Sequence, residues 1–143
     1  GMERAAKYSE LLGLGRGVAI VYKRRDPNIP NHSEALTMIG EVEDRDVLLV
    51  DDMLDTGGTV VNAASLLKKQ GAKSVIVAIA HGLFSADALS RIRDSSIDTV
   101  FVTDTIPLQY RIPQMEVVSV APLLAGAIKC IHTGKSISEN LIL

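Results

Sequence analysis

Leu48-Leu49-Val50-Asp51-Asp52-Met53-Leu54-Asp55-Thr56-Gly57-Gly58-Thr59 is the stretch on which the reading of this chain turns. Val47 to Val50 is a short continuous apolar run, the pattern of a strand buried on both faces. Asp51 and Asp52 end it. After the turn, Thr59 to Gln70 carries Val60, Ala63, Ala64 and Leu67 at helical spacing and closes at Gly71. Gly57 and Gly58 let the backbone turn sharply and approach a ligand closely. Peptide N–H groups of such a turn, with a helix N-terminus behind them, form a cradle for phosphate. Thr56 and Thr59 add hydroxyl donors, and Thr59 suits the N-cap position. The carboxylates of Asp51 and Asp52 repel phosphate, so their fitting partners are sugar hydroxyls or a hydrated Mg²⁺.

An Asp-rich, Gly-rich turn between strand and helix is often only a cap and a tight connection. Three acids, two threonines and two glycines within one turn exceed what a connection requires. Other acid motifs fit poorly. The turn lacks the Gly-Lys-Ser/Thr ending of a Walker loop, and Asp52 and Asp55 are not spaced as Asp-x-Asp.

Outward from this stretch, the chain alternates. Met2 to Leu12 reads as a helix stopped by Gly13, Gly17 to Tyr22 as a strand buried on both faces, and Lys23 to Ser33 as a breaker-rich loop. Ala35 to Val42 reads as a strand. Ser74 to Ala80, Thr99 to Thr103 and Glu116 to Val120 follow as strands, with helices over Ala86 to Arg93 and from Pro122 to Ile131 or His132. That order predicts an α/β fold of three layers, a mostly parallel sheet with helices on both faces and right-handed crossovers. Ligands in such sheets bind beyond the carboxyl ends of the strands, where Asp51 to Thr59 falls.

The chain has 143 residues, 47% apolar and 22% charged, with a net charge of −2. This length suits one domain over residues 1–143, burying about two-thirds of its unfolded surface. The charge argues against a nucleic-acid binder that neutralises many phosphates. One cysteine, Cys130, excludes an intrachain disulfide, fits a reducing compartment and reads as an apolar core residue. The nearly apolar stretch from Val117 to Ile128 is too short to span a bilayer. With no apolar signal core at the N-terminus, the expectation is a cytoplasmic protein without membrane or nucleic-acid partners. No two histidines have metal-ligand spacing on one element, so zinc is not expected. His81 follows a strand and reads as a hydrogen-bonded structural residue, with His32 and His132 at the surface.

The run Val50 to Thr59 resembles the phosphoribosyl pyrophosphate loop of type I phosphoribosyltransferase folds. Tyr22-Lys23-Arg24-Arg25 resembles the catalytic loop of one branch, the ribose-phosphate pyrophosphokinases. Ile39 to Val42, Ala80 to Ser85, Val102 to Pro107, Val118 to Ala125 and Ile131 to Ser138 resemble later blocks of that family in the same order. The first motif alone indicates the superfamily, and the ordered set is specific.

The resemblance implies an enzyme that transfers the diphosphoryl group of ATP to the 1-hydroxyl of ribose 5-phosphate, releasing AMP, with Mg²⁺ as cofactor. Asp55, Thr56, Gly57, Gly58 and Thr59 would hold the sugar phosphate. Asp51 and Asp52 would bind the ribose hydroxyls, with Mg²⁺ near them but no direct metal ligand assigned. Lys23 and Arg25 would be catalytic, neutralising charge on the transferring phosphates from a loop that orders on substrate. A basic triplet is otherwise a solvated turn. Ser136 and Ser138 resemble a regulatory phosphate site, a capped polar tail being the equal alternative. Family members form homo-oligomers, dimers or hexamers.

Only the carboxyl half of that family is resembled. The amino half, with most ATP contacts, is absent, as is the strand expected before the first helix. The isolated chain is therefore expected to be marginally stable unless it pairs with another copy or a missing segment. Two other functions stay open: a non-catalytic regulatory homologue that binds ribose phosphates, and a nucleobase phosphoribosyltransferase sharing the Asp51 to Thr59 loop. The Lys-Arg-Arg loop and the His81 to Ser85 block weigh against the last.

Overall fold

The computed structural model describes residues 2–14, 18–24 and 35–138. Its elements are α1 (Met2–Leu11), β1 (Ile20–Arg24), β2 (Ala35–Ile39), β3 (Asp46–Leu54), α2 (Gly58–Lys69), β4 (Ser74–Gly82), α3 (Ala88–Arg93), β5 (Thr99–Thr103), β6 (Met115–Val118) and α4 (Ala121–His132). The apolar runs at β3, β4 and β5 form a parallel sheet with β6, in the order β3-β4-β5-β6. The expected α/β class with a parallel sheet is what forms.

Each parallel strand lies beside the one before it, so right-handed crossovers in one direction put α2 and α3 on one face of the sheet. Alternate residues of β4 and β5 point there. Val75, Val77 and Val100 are fully buried against Ala64, Leu67, Ala88 and Ile92. All four apolar residues placed on one face of α2 by helical spacing, Val60, Ala63, Ala64 and Leu67, are buried. The opposite sheet face has less cover: Ile76 and Ala78 are half-buried and Phe101 is 39% exposed.

Three elements differ from the sequence expectation. The run from Gly17 does not join the parallel sheet. β1 pairs antiparallel with β2 in a separate ribbon, Val21 opposite Met38 and Lys23 opposite Leu36. Residues 25–34 are too few for the crossover helix that parallel neighbours need, so this pair forms antiparallel. β3 continues past Val50 through both aspartates to Leu54, because its ladder with β4 runs on to Leu54 opposite Gly82. α1 forms over the expected residues, but Tyr8, Leu11 and Leu12 on its apolar side remain exposed.

Cys130 is buried and His132 exposed, as expected. Lys23 and Arg24, expected in a loop, instead extend β1, because its ladder with β2 runs on to Arg24 opposite Ala35. Arg25, His32, the rest of that loop and the start of the Gly17 run lie outside the described residues.

Candidate functional site

The end of β3 and the start of α2 bring Asp51, Asp52, Asp55, Thr56 and Thr59 to the surface at the carboxyl edge of the sheet. All five are exposed, whereas Gly57 is buried and Gly58 half-buried. Side chains that could meet a ligand face solvent while the glycines face the protein. Gly57 has φ +76°, the left-handed region that costs an L-residue strain. It is the N-cap of α2, and no side chain caps the helix. This corrects the capping role expected of Thr59: the left-handed turn at Gly57 starts the helix at Gly58, leaving Thr59 inside its first turn. The Gly57 carbonyl accepts the Val61 N–H at 3.0 Å. Gly58, Thr59 and Val60 precede that bond, so their N–H groups have no acceptor within the helix. An uncapped helix start facing solvent offers donors and a favourable dipole to an anion.

Beside this cradle the two aspartates interact. The Asp52 N–H donates to Asp51 Oδ1 at 2.9 Å, and Arg4 of α1 approaches Asp52 Oδ2 at 3.7 Å. A hydrogen bond with the Asp51 side chain, then the Asp52 backbone N–H and the Arg4 charge, hold the Asp52 carboxyl below the usual carboxylate range. Ionised at neutral pH, the Asp52 carboxylate is an acceptor suited to sugar hydroxyl donors. The Arg4 pair carried no sequence signal, since α1 and Asp52 meet only through the fold.

A cavity of about 180 Å³ separates the β1–β2 ribbon from the site, lined by Val21 and Leu36 on one side and Asp51, Thr59 and Val60 on the other. Leu36 is the register partner of Lys23. Lys23 is thus paired with a residue that lines the same cavity as Asp51. Arg25 lies outside the described residues. Ser136 and Ser138 follow α4, exposed, with their hydroxyls 2.7 Å apart. The twelve residues of α4, about 18 Å of helix, separate them along the chain from the end of β6.

His81 is hydrogen-bonded, as expected, with Nδ1 2.8 Å from Thr105 Oγ1. Thr105 Oγ1 also lies 2.9 Å from the Ala80 carbonyl and 2.9 Å from Thr103 Oγ1, so His81 joins a small hydroxyl network at the end of β4. Among the described residues no group of three or more His, Cys, Asp and Glu side chains could hold a metal ion. Exposed Asp51 and Asp52 nonetheless supply the hard oxygen donors that suit Mg²⁺ held mostly by water and substrate.

Residues 16–141 match the family model of the phosphoribosyl synthetase-associated domain. The chain is 42% identical over 142 residues to a ribose-phosphate pyrophosphokinase of Campylobacter jejuni, covering 99% of this chain and 45% of that protein. It is 42% identical over 140 residues to the enzyme of that name from Aquifex aeolicus, covering 97% and 44%. The crystal structure of phosphoribosylpyrophosphate synthetase from Mycobacterium smegmatis superposes with a TM-score of 0.83 at 36% identity, over 93% of this chain and 42% of that one. The chain therefore spans less than half the length of these relatives.

Proposed function

The chain belongs to the phosphoribosyl synthetase-associated domain family, and from that premise we propose that it is the carboxyl half of a ribose-phosphate pyrophosphokinase, the part that holds ribose 5-phosphate. One observation carries the reading. Two exposed carboxylates on β3 run directly into a left-handed glycine and an uncapped helix start. That arrangement sets acceptors for hydroxyls beside donors for an anion, which is the polarity of a sugar phosphate.

In this reading the N–H groups and hydroxyls from Asp55 to Thr59 hold the 5-phosphate, and Asp51 and Asp52 accept hydrogen bonds from the ribose hydroxyls. The 1-hydroxyl attacks the β-phosphorus of ATP and AMP leaves. Lys23 and Arg25 counter the charge that develops on the transferring oxygens; Arg25 can engage two of them with its planar fork. Lys23 stands in the β1–β2 ribbon, whose Val21 and Leu36 line one cavity with Asp51 and Thr59, which supports a place for the basic segment beside the turn. Mg²⁺, carried in with substrate oxygens near Asp51 and Asp52, would polarise the phosphoryl group when bound. The remainder of the enzyme supplies most contacts to ATP, copies assemble into a homo-oligomer, and the protein works in the cytoplasm. The paired hydroxyls of Ser136 and Ser138 are our candidate for a regulatory phosphate contact.

Titration of the chain with ribose 5-phosphate, followed by heteronuclear NMR, tests this. Amides from Thr56 to Val60 are expected to shift, and ribose lacking the phosphate is expected to leave them in place. Asp52→Asn should weaken binding about tenfold through loss of a charge-assisted hydrogen bond. Unchanged affinity in that variant would remove the hydroxyl-binding role from Asp52.

A further inference from the structure

The turn between β4 and α3 has no role in the reading above, yet its backbone is held in an unusual state. Phe84 has φ +49° and Ala86 φ +53°. Two L-residues so close together in the left-handed region crowd their Cβ atoms against the following carbonyls. Such conformations persist where surrounding contacts over-determine them. Here those contacts converge on the candidate cradle. The Leu83 and Phe84 N–H groups both donate to the Leu54 carbonyl, at 2.9 and 3.3 Å, and the Ser85 N–H donates to the Asp55 carbonyl at 3.1 Å.

The Phe84 ring lies so tightly over Gly82 that a methyl group there would fall 2.2 Å from its Cε2 and 2.8 Å from Val102 Cγ2. Three positions beyond Leu54, Gly57 rests on the start of α3, where an added Cβ would meet Ile92 Cγ1 at 3.7 Å and Ala88 Cβ at 3.8 Å. Residues 83–92 thus hold the acidic turn at Leu54, Asp55 and Gly57.

We infer that Phe84 is a positioning residue for the sugar-phosphate cradle. Its ring, wedged over Gly82, fixes the Leu83–Ser85 turn, whose N–H groups grip the Leu54 and Asp55 carbonyls and so aim the donors of Thr56 to Thr59 outward. The inference rests on the phosphate-holding role proposed for that turn. Its physical basis is preorganisation: a cradle held rigid in the free protein has less freedom to lose when the anion binds.

The test compares the full chain with Phe84→Leu, which keeps an apolar wedge, and Phe84→Ala, which removes it, by titration with ribose 5-phosphate. Phe84→Leu should bind within about threefold of the parent and Phe84→Ala about tenfold more weakly. In Phe84→Ala the core amides of Val75, Val77 and Val100 should stay protected from exchange. A parent chain that binds with shifts at Thr56 to Thr59, alongside Phe84→Ala binding equally tightly, overturns the inference while leaving the proposed function standing. A parent chain that does not bind overturns the proposed function instead. Hydrogen exchange in the unsubstituted chain then tests the clamp itself, and does so equally if Phe84→Ala fails to fold. The Leu83, Ser85 and Val61 amides should open together as one unit, and independent opening rules the clamp out.

Discussion

A single methyl group at Gly57 would test how much of the site depends on one backbone angle. The position has φ +76° and open van der Waals contact with Ala88 and Ile92, so Gly57→Ala meets no clash but pays for the left-handed conformation. The expected cost is about 1 kcal/mol, a fall in Tm of roughly 2–5 °C, read by calorimetry. Ribose 5-phosphate binding should weaken as the N–H groups tilt. At this scale the sequence was legible where chemistry depends on residue type: the acids, threonines and glycines of the turn are all at the edge where strand order placed them. The cap was not legible. Thr59 has the right side chain for an N-cap, but the φ of Gly57, which starts the helix sooner, depends on the packing of Gly57 against α3.

Among the elements, α2 ties the sheet to the site. Leu67 is 1% exposed at the centre of its buried face, and Leu67→Ala is expected to cost 2–5 kcal/mol, about the cost of a cavity in a packed core, measured by urea unfolding. The same helix carries Lys68, whose Nζ lies 2.9 Å from Asp98 Oδ2. The Val75 N–H, at 2.7 Å from the same oxygen, and then Lys68 hold the Asp98 carboxyl below its usual range. A depressed carboxylate stabilises the fold above its unfolded pKa of about 3.9, and that contribution fades as pH falls through the lower folded value. The Asp98 side chain is 47% exposed, so screening keeps the effect to about 0.5–1 kcal/mol. Asp98→Asn should therefore be less stable than the parent at pH 7, with the gap closing only below about pH 4. Helix periodicity and apolar runs located nearly every element in the sequence. Pairing was less visible: a run such as Val18-Ala19-Ile20-Val21 states that a strand forms and not which neighbour it finds. The ten-residue separation of β1 and β2 decided that instead.

For the molecule as a whole, the exposed apolar surface is uneven. Ile128 and Ile131 on α4 are 66% and 67% exposed, Leu123 and Leu124 of the same helix are exposed, and so are Leu11 and Leu12 at the end of α1 and just after it. The chain is expected to self-associate through such surface. Sedimentation velocity should show a concentration-dependent average mass, accompanied by a concentration-dependent Tm. A monomer with an invariant cooperative melt would count against it. The fold class was legible because alternating strands and helices leave few topologies. The open face was not, since helix periodicity marks an apolar stripe without naming its cover. The proposal that unites these scales is that the chain carries the ribose 5-phosphate site of a ribose-phosphate pyrophosphokinase and that transfer takes this site together with the ATP-binding half. Its most direct test is AMP release from Mg·ATP and ribose 5-phosphate, by this chain alone and with the amino-terminal half of a full-length relative supplied. AMP only in the combined reaction is the predicted result, and no AMP in either reaction would contradict it.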